Sequence, residues 1–260
     1  GTLDPMAGGV LILCLGTATR ISEYLLGGDK QYRATVRLGQ TTTTYDAEGQ
    51  FLEQSLVTVG LDQIESALPN FRGTISQVPP AFSAVQVGGR RAYNMARHGE
   101  TPNLAPRSVT IHGLDLISWQ SPDLTLNITC SAGTYIRSLA HDLGRALGCG
   151  GYLTALSRTA AGGFTLEDAH ELSHIESTFK AGNGATLIRP TDHALSSWPV
   201  VSLDAAGANR ILHGNPVPIQ NLPQGSGLGR AYDPNGCLIA IVEADPASGQ
   251  WKPKKVLATA

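Results

Sequence analysis

Asp4 is the first residue whose setting invites chemistry. It stands in Gly1-Thr2-Leu3-Asp4-Pro5, a loop bounded by glycine and proline, directly ahead of an apolar run at residues 10–15 that reads as a buried strand. A side chain carried on a loop and backed by a rigid strand sits where catalytic groups concentrate. An ionised carboxylate in such a place can act as a covalent nucleophile. The same position also suits an aspartate that only hydrogen-bonds its own turn, and position alone leaves both readings standing.

The other groups of interest are cations. Between residues 86 and 112, Arg90, Arg91, Arg97 and Arg107 meet a single acid, Glu100; four charges less one leave a net +3. Lys252, Lys254 and Lys255 form a second cluster. Both are local features, because 19 basic and 21 acidic side chains give the whole chain a formal charge of −2. No overall cationic field advertises a nucleic acid, so any such partner must be held by patches.

At 260 residues, 42% hydrophobic and 15% charged, the chain reads as one large globular domain or two of ordinary size rather than a disordered one. No apolar stretch approaches the roughly 18 residues of a membrane span, and no secretory signal pattern is present. A cytoplasmic protein without a membrane partner is the expectation. Cys14, Cys130, Cys149 and Cys237 are scattered, with no CxxC and no nearby paired histidine. That argues against a disulfide framework and a zinc site and predicts buried, reduced thiols. Glycine pairs at 8–9, 27–28 and 88–89 fit neither common phosphate-loop pattern.

The elements that must position these groups are legible from periodicity. Tyr32, Ala34, Val36 and Leu38 alternate with Arg33, Thr35 and Arg37, as do Leu124, Leu126, Ile128 and Cys130 with their polar neighbours; both are half-buried strands. Gly133 then turns the chain into a helix with the stripe Ile136, Leu139, Ala140, Leu143 and Leu147 and a glycine cap at Gly148. Further strands are expected at 73–77, 82–87 and 152–159, and a helix through Leu61, Ile64 and Leu68 stopped by Pro69. A short helix capped by Thr19 and another opened by a Thr165/Asp168 capping box complete this part. The sheet reads as antiparallel or mixed. Residues 196–199 look like a boundary, beyond which a helix at 205–212 and turn-separated strands make a small β-barrel pattern.

In chain order, GTLDPMAGGVLILCLGTATR, DKQYRATVRLGQTTTTYDAEG, QVPPAFSAVQVGGRRAYNMARHGE and CSAGTYIRSLAHDLGRALGCGGYLTALSRT together resemble the TruB-type tRNA pseudouridine synthases over nearly the whole chain. GTLDP alone would be a moderate signal and GTYIR a weak one; several long segments in one order are specific. The resemblance implies an α+β (mixed α/β) fold. A catalytic domain on a mainly antiparallel sheet would occupy residues 1–196, with a thumb-like insertion at about 86–112, and a PUA-like RNA-binding barrel would occupy 199–260. It also implies cofactor-free isomerisation of the T-loop uridine of tRNA, position 55, to pseudouridine, with the base released at N1 and rejoined through C5.

In that scheme Asp4 matches the nucleophile, attacking either ribose C1′ or uracil C6. Arg137 matches the guanidinium that keeps it ionised and aimed, and Tyr32 the aromatic that stacks on the flipped base. Tyr135 and Leu156 match pocket-lining positions. Arg90, Arg91 and Arg97 match a clamp on the T-arm stem-loop, and Lys252 and Lys254 lie in the barrel that would meet the acceptor arm. The implied partner is tRNA and the implied working form a monomer; no metal or cofactor is implied.

The family pattern also places a DKP-x-G-x-TS motif and a histidine ahead of G-x-LDP. Neither precedes Gly1, so an N-terminally incomplete catalytic domain with an unpaired sheet edge is expected. Two other classes compete. A non-catalytic tRNA-binding or tRNA-folding protein would keep the clamp and barrel without turnover. A carboxylate glycosidase or nucleosidase would need a second acid beside Asp4, which no nearby motif supplies. Finally, Gln86 and Ala132 stand where the family's SALK and CSKGTYIR patterns carry lysine. If each missing lysine removes one phosphate contact, the slope of log affinity for tRNA against log salt is shallower by roughly one to two units than in the Gln86→Lys/Ala132→Lys variant. Equal slopes for the two proteins would refute this.

Overall fold

The strongest alternations in the sequence become the middle of one sheet. In the computed structural model, which describes residues 2–219 and 227–257, six strands form its path: β1 (Gly8–Gly9), β2 (Lys30–Leu38), β3 (Gly73–Gln77), β4 (Arg107–Gln120), β5 (Asp123–Cys130) and β6 (Gly151–Ala161). Their order is β1-β6-β2-β5-β4-β3, and Phe164–Thr165 also pairs with β6. Every pairing is antiparallel except β1 with β6. Tyr32, Ala34, Val36 and Leu38 are buried together with Leu124, Leu126, Ile128 and Cys130. Each such apolar side chain contributes on the order of 2 kcal/mol.

Two helices pack their apolar faces into that core. Leu61–Ala67 (α1) buries Ile64 and runs into a 3-10 turn that contains Pro69, as the sequence predicts. Ile136–Ala146 (α2) buries Ile136, Leu139, Ala140 and Leu143, and Gly148 takes the left-handed φ of +76° that a glycine cap requires. Gly144 lies on the packed side of α2: a Cβ there would run into the backbone of Gly150 and Gly151 at the start of β6. The absent side chain thus sets how closely α2, and the arginine in its first turn, approaches the sheet.

The chain divides into two compact units, residues 1–12 with 26–169 and residues 13–25 with 170–260. The second is built on β7 (Val200–Ser202), α3 (Ala205–Leu212), β8 (Val217–Pro218), β9 (Leu228–Tyr232), β10 (Leu238–Asp245) and β11 (Gln250–Val256), in the order β7-β9-β10-β11-β8. Ile211, Ala231, Ala240, Val242 and Trp251 fill its core, and Asp204 caps α3 by accepting from the Gly207 N–H at 2.7 Å. This curled half-barrel is the PUA-like element, and with the antiparallel sheet it gives the α+β class expected from the sequence. Among the described residues no helix is long and apolar enough to cross a membrane.

Several local expectations are corrected. Residues 10–15 do not form a strand: the Val10 N–H reaches Arg158 O, then the chain leaves the sheet and Leu11, Leu13 and Leu15 are exposed. Of residues 82–87 only Gln86–Val87 pairs, in a small hairpin with Arg90–Arg91. The hairpin is followed by the short helix Ala92–Arg97, and Arg107 opens β4. Thr19 caps nothing; its hydroxyl donates to Gly16 O within a 3-10 turn. The Thr165/Asp168 capping box forms but closes a three-residue 3-10 turn, and the next helix begins beyond it at Leu172. Cys130 and Cys149 are buried as expected, whereas Cys14 is half-buried and Cys237 exposed.

Gly144→Ala provides the check on the packing. Alanine has the better helix propensity, yet overpacking against β6 should lower stability by about 1–3 kcal/mol, measured by urea unfolding. A gain in stability would show that α2 is free to move off the sheet.

Candidate active site

Asp4 reaches the site through a loop fastened at both ends. Met6 and Ala7 pack on the sheet core, the Ala7 N–H closes a turn on Asp4 O at 2.9 Å, and the Val10 N–H bonds Arg158 O at 2.8 Å. At Gly9, with φ +101°, a Cβ would strike the Arg158 backbone, so only glycine fits this parallel approach. The Asp4 carboxylate does not bond its own turn. Oδ1 accepts from Arg137 Nη2 at 2.8 Å and Oδ2 from Nε at 3.1 Å, the bidentate fork that guanidinium geometry favours. The Asp4 side chain is 31% exposed and that of Arg137 only 8%. The carboxylate therefore faces outward while its counter-ion stays behind it.

Arg137 lies in the first turn of α2, and three other segments converge on it. Nη1 donates to Thr44 O at 3.3 Å and Nη2 to Phe82 O at 3.2 Å. Nη1 also pairs with Asp46 Oδ2 at 3.4 Å. Asp46 is buried, and its Oδ1 accepts from the Thr44 hydroxyl at 2.5 Å and the Glu48 N–H at 3.0 Å. The start of α2 is tied to the segment after β3. The buried Gln77 amide bonds both the N–H and the C=O of Tyr135, at 2.8 and 3.0 Å, and the Ser138 hydroxyl donates to Val78 O at 2.7 Å. Sequence reasoning assigned Asp46 no role in the site. The signal available was an acidic residue inside TTTTYDAEG, one of the quoted motifs.

Tyr32 and Leu156 lie on the buried face of the sheet, on β2 and β6, within one apolar cluster. Burial pushes the Tyr32 phenol above its usual range; the negative charge of Asp4 adds to this and Arg158 opposes it. The hydroxyl therefore stays protonated at neutral pH. Arg158, opposite Tyr32 in the ladder, is buried; its Nε donates to Val10 O at 2.7 Å and its Nη1 to Thr2 O at 3.3 Å. One guanidinium thus holds both ends of the Asp4 loop, a role sequence reasoning did not assign. Tyr135 is half-buried at the N-cap of α2.

The expected cationic groups are already paired within the chain. Arg90 makes a two-pronged bridge to Glu100 at 2.8 Å, Arg91 Nη1 donates to Ala84 O at 2.5 Å, and Arg97 lies 5.5 Å over the Tyr93 ring. Lys252 pairs with Asp245 at 2.6 Å, Lys254 with Glu243 at 2.9 Å, and Lys255 with Glu23. Exposed pairs of this kind are worth little, so each cation is available for exchange onto an anionic ligand. Among the described residues no three His, Cys, Asp or Glu side chains gather as a metal-binding group.

A part-exposed carboxylate gripped by a buried arginine, on this sheet and with this half-barrel, defines the class: the architecture is that of the Cbf5 pseudouridine synthases. A solved Cbf5–Nop10–Gar1 complex matches 100% of this chain and 75% of the other, with a TM-score of 0.73 at 25% identity. An H/ACA ribonucleoprotein bound to a substrate RNA containing 2′-deoxyuridine shares the fold at 0.73 and 23% identity, over 99% of this chain and 75% of the other. Residues 1–136 match the TruB family pseudouridylate synthase N-terminal domain, and residues 137–196 the tRNA pseudouridylate synthase B C-terminal domain. The tRNA pseudouridine synthase B of Pseudomonas paraeruginosa is 45% identical over 99% of this chain and 85% of its own. That of Thiobacillus denitrificans is 45% identical over 100% and 85%. The chain belongs to the TruB family of pseudouridylate synthases.

Because Asp46 is buried against Arg137, Arg137→Met should cost about 3–5 kcal/mol by leaving an uncompensated interior carboxylate. Adding Asp46→Asn should restore part of that loss in urea unfolding. Strictly additive losses would show that the two side chains do not share one charge.

Proposed function

We propose that this protein isomerises the T-loop uridine of tRNA, position 55, to pseudouridine, with Asp4 as nucleophile. Family membership and relatives named tRNA pseudouridine synthase B support the reaction. The observation that carries the assignment of Asp4 is its part-exposed carboxylate in the fork of Arg137. The guanidinium supplies the counter-charge and, through its two-pronged contact, fixes the direction of the carboxylate. In the reaction the C1′–N1 bond breaks, the base turns, C5 bonds to C1′, the C5 proton leaves and N1 gains one. Nothing is oxidised or reduced, so no cofactor is needed. Asp4 adds to ribose C1′ or uracil C6 and departs again, dividing one difficult displacement into two easier steps.

Tyr32 stacks on the flipped uracil with its hydroxyl protonated. Tyr135 and Leu156 line the pocket. Arg90, Arg91 and Arg97 clamp the T-arm by exchanging Glu100, a backbone carbonyl and a tyrosine face for phosphates. Lys252 and Lys254 meet the acceptor arm in the same way. The catalytic domain extends over residues 1–196 and the PUA-like domain over 199–260, and a monomer acts on the cytoplasmic tRNA pool. The test is incubation with unmodified tRNA transcript and with the isolated T-arm hairpin, followed by mapping of carbodiimide-dependent reverse-transcription stops. The parent should modify the T-loop uridine, and Asp4→Asn should modify none. Tight hairpin binding without modification by the parent would instead favour a non-catalytic tRNA-binding protein.

A further inference from the structure

Tyr45 is the only non-glycine residue among those described with a positive φ, +63°. A side chain in this left-handed region is strained, and such strain persists only where surrounding structure holds it. Its two neighbours are both partners of Arg137: Thr44 through its carbonyl at 3.3 Å and Asp46 through Oδ2 at 3.4 Å. The twist at residue 45 is therefore what turns a carbonyl and a carboxylate toward the same guanidinium. Two backbone bonds hold the turn, Tyr45 N–H to Thr42 O at 3.3 Å and Leu153 N–H to Tyr45 O at 3.0 Å.

The Tyr45 ring lies flat on the His141 ring, with centroids 3.9 Å apart and an interplanar angle of 13°. His141 follows Arg137 by four residues on α2, so the same helix face carries both. Its Nδ1 is buried without a hydrogen-bond partner, so that nitrogen contributes no polar contact and the ring serves by its face. Burial holds its pKa below the usual histidine range, so the stacked ring is neutral.

We infer that Tyr45 and His141 are positioning residues: their stack latches the strained 44–46 turn onto α2 and keeps Asp46 and Thr44 aimed at Arg137. The inference rests on the proposed reaction, since its effect passes through Arg137 to Asp4. A favourable aromatic stack is of the same order as the cost of one left-handed residue, so the two offset each other. Removing only the stack leaves the strain to relax the turn. Removing the strain as well, by Tyr45→Gly, makes the stack dispensable, because glycine adopts positive φ freely.

The test is a double-mutant cycle on the full chain, read as kcat and KM for tRNA modification, with hairpin affinity and thermal unfolding measured alongside. His141→Ala should lower kcat about tenfold, the effect of losing one stack on a turn in which strain and stack are balanced, with KM unchanged. In a Tyr45→Gly background the same change should cost less than about threefold. His141→Phe, which keeps a stacking face without ring nitrogens, should retain kcat and serves if the alanine variant does not fold. Equal losses from His141→Ala in both backgrounds, no loss in either, or a His141→Phe defect as large as that of alanine would overturn the inference. The parent and Asp4→Asn run beside these variants: an inactive parent defeats the functional reading, whereas an active parent with an additive cycle defeats only this inference.

Discussion

One buried guanidinium organises this site. Arg137 has five N–H donors, and the structure directs them to two carboxylates and two backbone carbonyls contributed by three segments outside its own helix. Burying a cation is costly unless it is paired and hydrogen-bonded, so the loop with Asp4, the turn with Asp46 and the segment with Phe82 are each required where they are. The dependence runs both ways. Asp46, with almost no access to water, relies on the arginine as its counter-charge, and Asp4, open to solvent on one side, relies on it for direction.

The sheet makes that convergence possible. Strand β6 lies between β1 and β2, so Arg158 on one strand reaches both ends of the Asp4 loop and faces Tyr32 across the ladder. Helix α2 rests on β6 through Gly144, a contact that tolerates no side chain. The Gln77 amide and the Ser138 hydroxyl fasten the first turn of α2 to the segment that delivers Phe82. The proposed nucleophile and its arginine are 133 residues apart in sequence, and ordinary strand pairing and helix packing bring them together.

The parts of this legible in the sequence were those with a period or a long motif. Alternation at Tyr32–Leu38 and Leu124–Cys130 identified the central strands, and the stripe from Ile136 to Leu147 identified the helix that carries Arg137. The run at 10–15 misled because apolar composition carries no information on when a chain leaves its sheet; Val10 still bonds Arg158 on β6, and Leu11, Leu13 and Leu15 are exposed. The capping box at Thr165 formed, but the turn it closes spans only three residues. Asp46, Arg158 and Tyr45 escaped because their importance lies in partners far along the chain. The basic clusters were visible as charge counts, while their pairing with Glu100, Asp245 and Glu243 depends on strand register and turn geometry that no charge count contains.

The central claim is that the planar fork of Arg137 aims Asp4. The most direct measurement is the single-turnover rate of uridine isomerisation by Arg137→Lys on saturating tRNA, with tRNA affinity measured on the same protein. Lysine keeps the charge but offers a point rather than a fork. A misdirected nucleophile should slow the step by about 100-fold while affinity stays within about twofold. A rate equal to that of the parent would contradict the claim and leave Arg137 as a counter-charge alone.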